Sequence, residues 1–153
     1  MIDLIQSILI LHEKGNDPEV KEFTLTHPEM TRFVMTLEQS VELIEYAIIN
    51  GESGDTVIPK LISMNLMDLM EIFSEKYGKP VKITGLRPGE KMLESLISDT
   101  QSMRLVKKKN GYMHIKAPYK NLLVTEDIQN YNSKLNPLSK GELYEFMNKL
   151  ALL

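Results

Sequence analysis

Apolar residues recur at helical spacing in four stretches of the chain, and polar or helix-breaking residues bound each stretch. The segment Gly15-Asn16-Asp17-Pro18 follows the first stretch, Asn50-Gly51 follows the second, and Gly78 follows the third. In the first half of the first stretch, apolar residues would lie on almost every side of a helix. Such a helix must bury more than one face, in a core or against another chain. The pattern predicts helices over residues 2–14, Thr36 to Asn50, Leu66 to Tyr77, and Ser139 to Leu150.

Capping boxes mark the starts of the second and fourth predicted helices. Thr36 with Gln39, and Ser139 with Glu142, have the spacing at which each side chain bonds the backbone N–H of the other residue. The second helix has an apolar stripe, while its glutamates point away from the stripe. The stripe is Leu37, Val41, Ile44 and Ile48, and the glutamates are Glu38, Glu42 and Glu45.

Extended segments alternate with these helices. The sequence predicts a β-hairpin around Asn110-Gly111, because this dipeptide favours the tight turn that joins two antiparallel strands. A short helix containing Leu93 and Leu96 is predicted before it, and a loop over 118–137 after it. The predicted strands are Phe23–Thr26, Asp55–Pro59, Val81–Thr84, Met103–Lys109 and Tyr112–Ala117. We therefore expect an α+β fold, in one domain over residues 1–153.

Composition narrows the class of protein. The 153 residues are 42% hydrophobic and 25% charged, which is typical of one soluble globular domain. Cysteine is absent, which excludes disulfide scaffolds, iron–sulfur sites and thiol nucleophiles. A net charge of −3 lacks the positive field of most nucleic-acid-binding proteins. We predict no nucleic-acid partner, no membrane span, no signal peptide and a cytoplasmic location.

Most local signatures of catalysis are missing. There is no G-x-G-x-x-G, P-loop, G-x-S-x-G or H-E-x-x-H motif, and the three histidines show no metal-ligand spacing. Tyr112 and Lys116 have the Y-x-x-x-K spacing of short-chain dehydrogenases, but that pair requires a helix and these residues fall on a predicted strand. Lys107-Lys108-Lys109 is interpreted as a solvated hairpin edge. The sequence therefore predicts no catalytic residue, cofactor site or metal site in this chain.

Two arginine-bearing segments carry the candidate chemistry. Arg32 lies just before the second helix, and Arg87-Pro88-Gly89-Glu90 follows a predicted strand. A guanidinium can donate two parallel hydrogen bonds to a diphosphate. Pro88 and Gly89 suit a tight turn, which would bring Glu90 beside Arg87. Spacing alone leaves two interpretations of this turn open: a surface ion pair, or a site in which the arginine holds phosphate and the glutamate accepts from a ribose hydroxyl.

Ordered motifs at these residues resemble the C-terminal part of the extended short-chain dehydrogenase/reductases that act on nucleotide sugars. The resemblance is strongest to the UDP-N-acetylglucosamine 4,6-dehydratases, including 5-epimerising ones, of capsular polysaccharide biosynthesis and flagellin glycosylation. It covers nearly the whole chain, with residues 1–100 as the nucleotide-sugar-binding part and 101–153 as a C-terminal extension. The motifs are Pro28–Phe33, Val57–Met64, Arg87–Lys91 with Glu94, Gly111–Ile115, and the tail from Asn132 to Leu143.

The resemblance implies a role for three residues. Arg32 and Arg87 would grip the diphosphate of a UDP-N-acetylhexosamine, and Glu90 would bind the uridine ribose. His27 and Val34 depart from the residues common in the family, but neither change removes a phosphate-binding group. The tail implies subunit contacts, hence a homo-oligomer.

The resemblance also implies a division of labour. In this family, a Rossmann domain on the N-terminal side binds NAD(P) and carries the reacting residues, and the motifs of this chain all match the part beyond it. Three hypotheses follow for this chain: one half of a split dehydratase whose Rossmann domain is a separate polypeptide, a non-catalytic UDP-sugar-binding remnant, or an assembly protein that retains only the fold.

Overall fold

The computed structural model describes residues 2–107, 110–120 and 130–153. In the described residues, the helices are α1 (Leu4–Asn16), α2 (Leu37–Asn50), α3 (Leu66–Tyr77), α4 (Asp99–Ser102) and α5 (Lys140–Lys149), with a 3₁₀ turn at Pro118–Lys120. The strands are β1 (Ile2–Asp3), β2 (Phe23–Leu25), β3 (Thr31–Met35), β4 (Thr56–Ile58), β5 (Ile62–Asn65), β6 (Val81–Ile83), β7 (Ser95–Ile97), β8 (Leu105–Lys107), β9 (Met113–Ile115), β10 (Tyr131–Asn132) and β11 (Pro137–Leu138). This mixture confirms the predicted α+β class.

The chain forms two compact units. Met1–Met35, Ile62–Glu94 and Ser133–Leu153 form the first unit, and Thr36–Leu61 with Ser95–Asn132 form the second. The assignment of residues 1–153 to one domain stays a prediction.

A four-stranded sheet and three helices build the first unit. The strand order is β1-β3-β5-β11, in which β3 runs antiparallel to β5 and the two outer pairs are parallel. A second, parallel pair joins β2 to β6. Side chains of α1, α3 and α5 bury a common core with these strands, which includes Ile8, Phe23, Val34, Met64, Leu69, Phe73, Leu143 and Met147.

The second unit is built around the predicted hairpin. Strands β8 and β9 pair antiparallel, and β4 extends them to the order β4-β9-β8. Gly111 has φ of 85° beside the turn, a left-handed backbone angle that favours glycine. Residues 108 and 109, in the predicted tip and lysine run, lie outside the described residues, as do residues 121–129 of the predicted loop. The core of this unit is Ile58, Ile97, Leu105 and Ile115.

Local signals locate most helix ends correctly. Both predicted capping boxes form, at Thr36 with Gln39 and at Ser139 with Glu142, and Gly78 ends α3 with φ of 65°. Gly15 does not end α1, which runs to Asn16. A Cβ at Gly15 would lie 2.5 Å from the Tyr77 ring, so this glycine permits close packing against α3 rather than a helix stop.

One predicted element is wrong. The structure has no helix containing Leu93 and Leu96; instead Leu96 lies in β7, which pairs antiparallel with β10. A short helix would have depended on a few local hydrogen bonds, whereas β7 gains a strand partner from far along the chain. The predicted loop correspondingly contains the strand β10.

Candidate functional site

The Arg87–Glu90 segment forms a tight turn in the first unit. The Glu90 N–H donates to the Arg87 carbonyl at 3.1 Å, and Gly89 has φ of 84°. With proline and glycine at its two central positions, this is the arrangement of a type II turn. The Arg87 N–H then donates to Glu90 Oε2 at 3.2 Å, so the turn folds its own carboxylate back onto its first residue.

Thr26, just beyond β2, holds the other carboxylate oxygen. Its hydroxyl donates to Glu90 Oε1 at 3.0 Å. The backbone bond from Arg87 lowers the pKa of the Glu90 carboxyl, and the Thr26 hydroxyl and the charges of Arg87 and Arg32 lower it further. Glu90 is therefore an oriented, ionised acceptor at neutral pH.

Arg32, on β3, bonds the segment that directly follows the turn. Its Nη1 donates to the Thr31 carbonyl at 2.8 Å and to the Met92 carbonyl at 3.4 Å, and its Nη2 donates to the Lys91 carbonyl at 2.8 Å. These bonds use three of the five N–H groups of a guanidinium and leave its positive charge without a carboxylate partner among them. Because the Arg32 charge acts on Glu90, the structure brings the three predicted residues into one electrostatic neighbourhood.

Arg87 itself is exposed, and its guanidinium makes no hydrogen bond or salt bridge to a residue within the described ranges. Glu90 contacts the backbone of Arg87 rather than its side chain. The surface ion pair that the sequence left open is thus not formed. Among the three predicted residues, two guanidinium groups act on one carboxylate, a combination that suits an anion.

Three further residues support this site and were not predicted to do so. Thr26 orients Glu90, Glu94 Oε2 accepts from the Phe33 N–H at 3.2 Å, and the buried Ser133 hydroxyl lies 2.8 Å from that of Thr31. The resemblance had drawn attention to Glu94 and Ser133 only as members of motifs. Their contacts join segments that are remote in sequence, so no local pattern indicated them.

The Tyr112–Lys116 pair has a structural role in the second unit. Both residues flank strand β9, as expected from the hairpin. The Tyr112 ring stacks on Tyr46 with centroids 3.8 Å apart, and Lys116 Nζ lies 2.6 Å from Asp55 Oδ2. The strand predicted over this pair is confirmed, and the absence of a dehydrogenase role stays a prediction.

Lys116 belongs to a balanced group of charges that we name the lysine–carboxylate cluster: Glu52, Asp55, Lys116 and Lys120. All four lysine–carboxylate distances are between 2.6 and 3.2 Å. Burial acts to raise the pKa of Asp55, but hydrogen bonds from Lys116 and Lys120 outweigh it and hold that pKa below its usual range. The two positive and two negative charges compensate one another, so this cluster offers no net charge to a ligand.

Three strand-to-helix transitions of the described residues differ from a dinucleotide-binding loop. A Rossmann phosphate loop places glycines between a strand and the N-terminus of the following helix. The three direct strand-to-helix transitions in the first 70 residues, β1 to α1, β3 to α2 and β5 to α3, contain no glycine.

The chain matches the family described as "Polysaccharide biosynthesis protein" over residues 7–117. Among curated relatives, a UDP-glucose 4-epimerase of Rickettsia akari is 39% identical over 62% of this chain and 28% of that protein. An uncharacterized membrane protein of Methanocaldococcus jannaschii is 42% identical over 54% of this chain and 27% of that protein. Within the described part of this chain, we find no helix with the length and apolar character needed to cross a bilayer.

Among solved structures, Pen from Bacillus thuringiensis superposes with a TM-score of 0.80 and 28% identity, over 95% of this chain and 46% of that one. This chain thus spans about half the length of Pen and little more than a quarter of the curated relatives. The matches confirm the resemblance to the C-terminal part of an extended short-chain dehydrogenase-type sugar epimerase or dehydratase. They support a sugar-modifying enzyme domain.

Proposed function

Because this chain belongs to the family of polysaccharide biosynthesis proteins, we propose that it is the substrate-binding part of a nucleotide-sugar 4,6-dehydratase or epimerase. Its ligand is a UDP-N-acetylhexosamine. Arg32 and Arg87 bind the diphosphate, Glu90 accepts from the uridine ribose, and the chain is not catalytic alone. The observation that carries the proposal is the Arg87–Glu90 turn, whose ionised carboxylate lies beside two arginines that no carboxylate neutralises through a salt bridge in the described residues.

Donors and acceptors at the turn match a nucleoside diphosphate. The exposed Arg87 fork and the remaining N–H groups of Arg32 can donate to anionic oxygens. The Glu90 carboxylate has about four acceptor positions, of which the Arg87 N–H and the Thr26 hydroxyl use two. The others suit the hydroxyls of a ribose.

Relatives support the class of ligand. The similar Rickettsia proteins are named UDP-glucose 4-epimerases, which act on a UDP-sugar. The choice of an N-acetylhexosamine over glucose comes from the motif resemblance. A direct comparison of the two sugars is therefore part of the test.

Calorimetric titration tests the site. We expect UDP-N-acetylglucosamine and UDP to bind the unmodified chain, and Arg87→Ala to weaken both by about ten- to a hundredfold, the loss of one or more charge-assisted hydrogen bonds. Lys149→Ala is the matched control: it removes the same charge from an exposed position of the same unit and should leave affinity unchanged. Equal effects of the two substitutions would mean that only net charge matters and would contradict the site. UDP-glucose binding as tightly as UDP-N-acetylglucosamine would contradict the sugar assignment.

Two exposed apolar surfaces support a protein partner. On α2, the predicted stripe is exposed, from 49% at Val41 to 77% at Ile48, whereas Leu43, Tyr46 and Ala47 are half-buried and the Tyr46 ring packs on Tyr112 within the second unit. On α1, Ile8 and Leu11 are buried while Leu9 is 61% exposed. The proposed partner is a Rossmann domain that binds NAD(P), since the relatives are far longer than this chain.

Charge argues against self-pairing through α2. Glu38, Glu42 and Glu45 line its exposed polar face, and the helix contains no basic residue. Two copies that met along this stripe would bring like charges together, whereas a partner surface with basic residues would be attracted.

Reconstitution tests the partner. Co-expression with a Rossmann-domain polypeptide encoded beside this chain should yield a complex that dehydrates the UDP-sugar in the presence of NAD(P). Ile44→Glu should abolish the complex without lowering the stability of the isolated chain, because Ile44 is already 59% exposed. Dimers of the purified chain that this substitution dissociates would instead support the assembly-protein alternative. UDP-sugar binding without any complex would favour the remnant.

A further inference from the structure

A buried hydrogen-bond network lies behind the two arginine-bearing segments. Strand β3 pairs with β5 along one edge, but β1 pairs with it only at Val34 and Met35. Beside the first half of β3 runs the irregular segment that follows Glu90, with the Thr31 N–H donating to the Met92 carbonyl at 3.0 Å. The position of Arg32 relative to the Arg87–Glu90 turn therefore depends on how firmly this segment is fixed against β3.

The Glu94 side chain bonds the backbone of β3. Its Oε2 accepts from the Phe33 N–H at 3.2 Å, two residues beyond the bond that Thr31 makes to Met92. A side-chain carboxylate thereby contributes to the hydrogen bonding along β3.

Ser133 joins the same segment from the C-terminal tail and is fully buried. Its N–H donates to the Glu94 carbonyl at 2.9 Å, and the Glu94 N–H donates to its Oγ at 3.0 Å. Its hydroxyl also donates to the Thr31 carbonyl at 3.1 Å and lies 2.8 Å from Thr31 Oγ1. The three contacts of Ser133 Oγ are compatible with one placement of the hydroxyl protons. Ser133 Oγ accepts from the Glu94 N–H and from the Thr31 hydroxyl, and it donates its own proton to the Thr31 carbonyl.

This network reaches the guanidinium directly. The Thr31 carbonyl that accepts from Ser133 also accepts from Arg32 Nη1 at 2.8 Å, and the other two acceptors of Arg32 are the carbonyls of Lys91 and Met92. The three carbonyls that accept from Arg32 therefore belong to two segments, the start of β3 and the segment after Glu90. Ser133 and Glu94 hold these two segments together.

We propose that Thr31, Glu94 and Ser133 are positioning residues that set the distance between Arg32 and the Arg87–Glu90 turn, so that the C-terminal tail helps to shape the anion site. This inference rests on the proposed function, since it assigns the network to the same site. None of the three side chains needs to touch the ligand.

The test uses a pair of substitutions at Thr31. Thr31→Val keeps the shape but removes the hydroxyl, and should weaken UDP binding about tenfold in calorimetry, because the guanidinium loses its fixed position. Thr31→Ser keeps the hydroxyl and should bind within about twofold of the unmodified chain. Ile72→Val, in the buried core of the same unit, is the control for a general loss of stability and should leave affinity unchanged.

Amide hydrogen exchange gives a readout that needs no ligand. Thr31→Val should accelerate exchange at Phe33 and Glu94 more than Ile72→Val does. Unchanged exchange at these amides, or equal UDP affinity of Thr31→Val and Thr31→Ser, would overturn the positioning role. Accelerated exchange in a chain that never binds UDP would uphold the network as a structural tie but overturn its assignment to an anion site, and would count against the proposed function.

Discussion

In the lysine–carboxylate cluster of the second unit, the Nζ of each of two lysines lies within 3.2 Å of an oxygen of both carboxylates. In the first unit, Arg32 is held by three neutral carbonyls, Arg87 projects from an exposed turn, and Glu90 bonds a backbone N–H. The charges of the cluster compensate one another, whereas neither arginine forms a salt bridge with a carboxylate in the part of the chain that the structure describes. Similar side chains therefore stabilise a fold in one unit and form a candidate binding site in the other.

The largest effect is expected from breaking the cluster at its buried member. Asp55→Ala should lower the free energy of unfolding by about 3–5 kcal/mol, because Lys116, only 7% exposed, would keep its charge without the nearest carboxylate. Glu52→Ala removes the same charge from a side chain that is 62% exposed and should have a far smaller effect. Urea denaturation measures both, and equal losses would contradict the distinction.

The second-largest effect is expected from acid, which should weaken the same cluster. The pKa values of Glu52 and Asp55 are lowered in the folded protein from ordinary values of 4.5 and 3.8. Depressed carboxyl pKa values contribute stability above the unfolded values, and that stability is lost as pH falls through the folded values. Stability should therefore be flat with pH near neutrality and fall below about pH 4. Asp55→Asn should flatten this slope in urea titrations at each pH, and an unaltered slope would contradict the assignment.

Replacing Arg32 or Arg87 by lysine compares how much each guanidinium contributes to the free energy of unfolding. Arg32→Lys should lower the free energy of unfolding by about 1–2 kcal/mol, because one ammonium cannot reach three carbonyls as a planar fork does. Arg87→Lys should change it by less than about 0.5 kcal/mol, since the side chain is exposed. Thermal unfolding of both variants measures this difference, and a larger loss at Arg87 would reverse their assigned roles.

A last pair of substitutions compares a glycine of the turn with a glycine of a helix. Gly89→Ala places a side chain at φ of 84° and should cost about 1 kcal/mol through backbone strain alone, since an added Cβ would meet no atom within 4 Å. Gly141→Ala, which also meets nothing but lies inside α5, should instead be neutral or stabilising. Gly89→Ala should therefore lower the melting temperature, whereas Gly141→Ala should leave it unchanged or raise it.

Much of the local structure could be predicted from the sequence. The capping boxes at Thr36 and Ser139, the end of α3 at Gly78 and the turn at Pro88-Gly89 depend on contacts within a few residues, which a sequence pattern contains. The same holds for the hairpin around Asn110-Gly111. The candidate residues Arg32, Arg87 and Glu90 were chosen because their side chains suit a diphosphate and a ribose, and their roles stay predictions.

Tertiary structure decided the rest. The sequence by itself determined where chain segments become helical, where they turn and which side chains could bind an anion, because propensity, capping and side-chain chemistry act locally. It could not determine that Leu96 would join a strand or that the α2 stripe would be exposed. Nor could it reveal that Ser133 would tie Thr31 to Glu94. These outcomes depend on partners brought together from distant parts of the chain, whose hydrogen bonds and packing outweigh the local preference of a short segment.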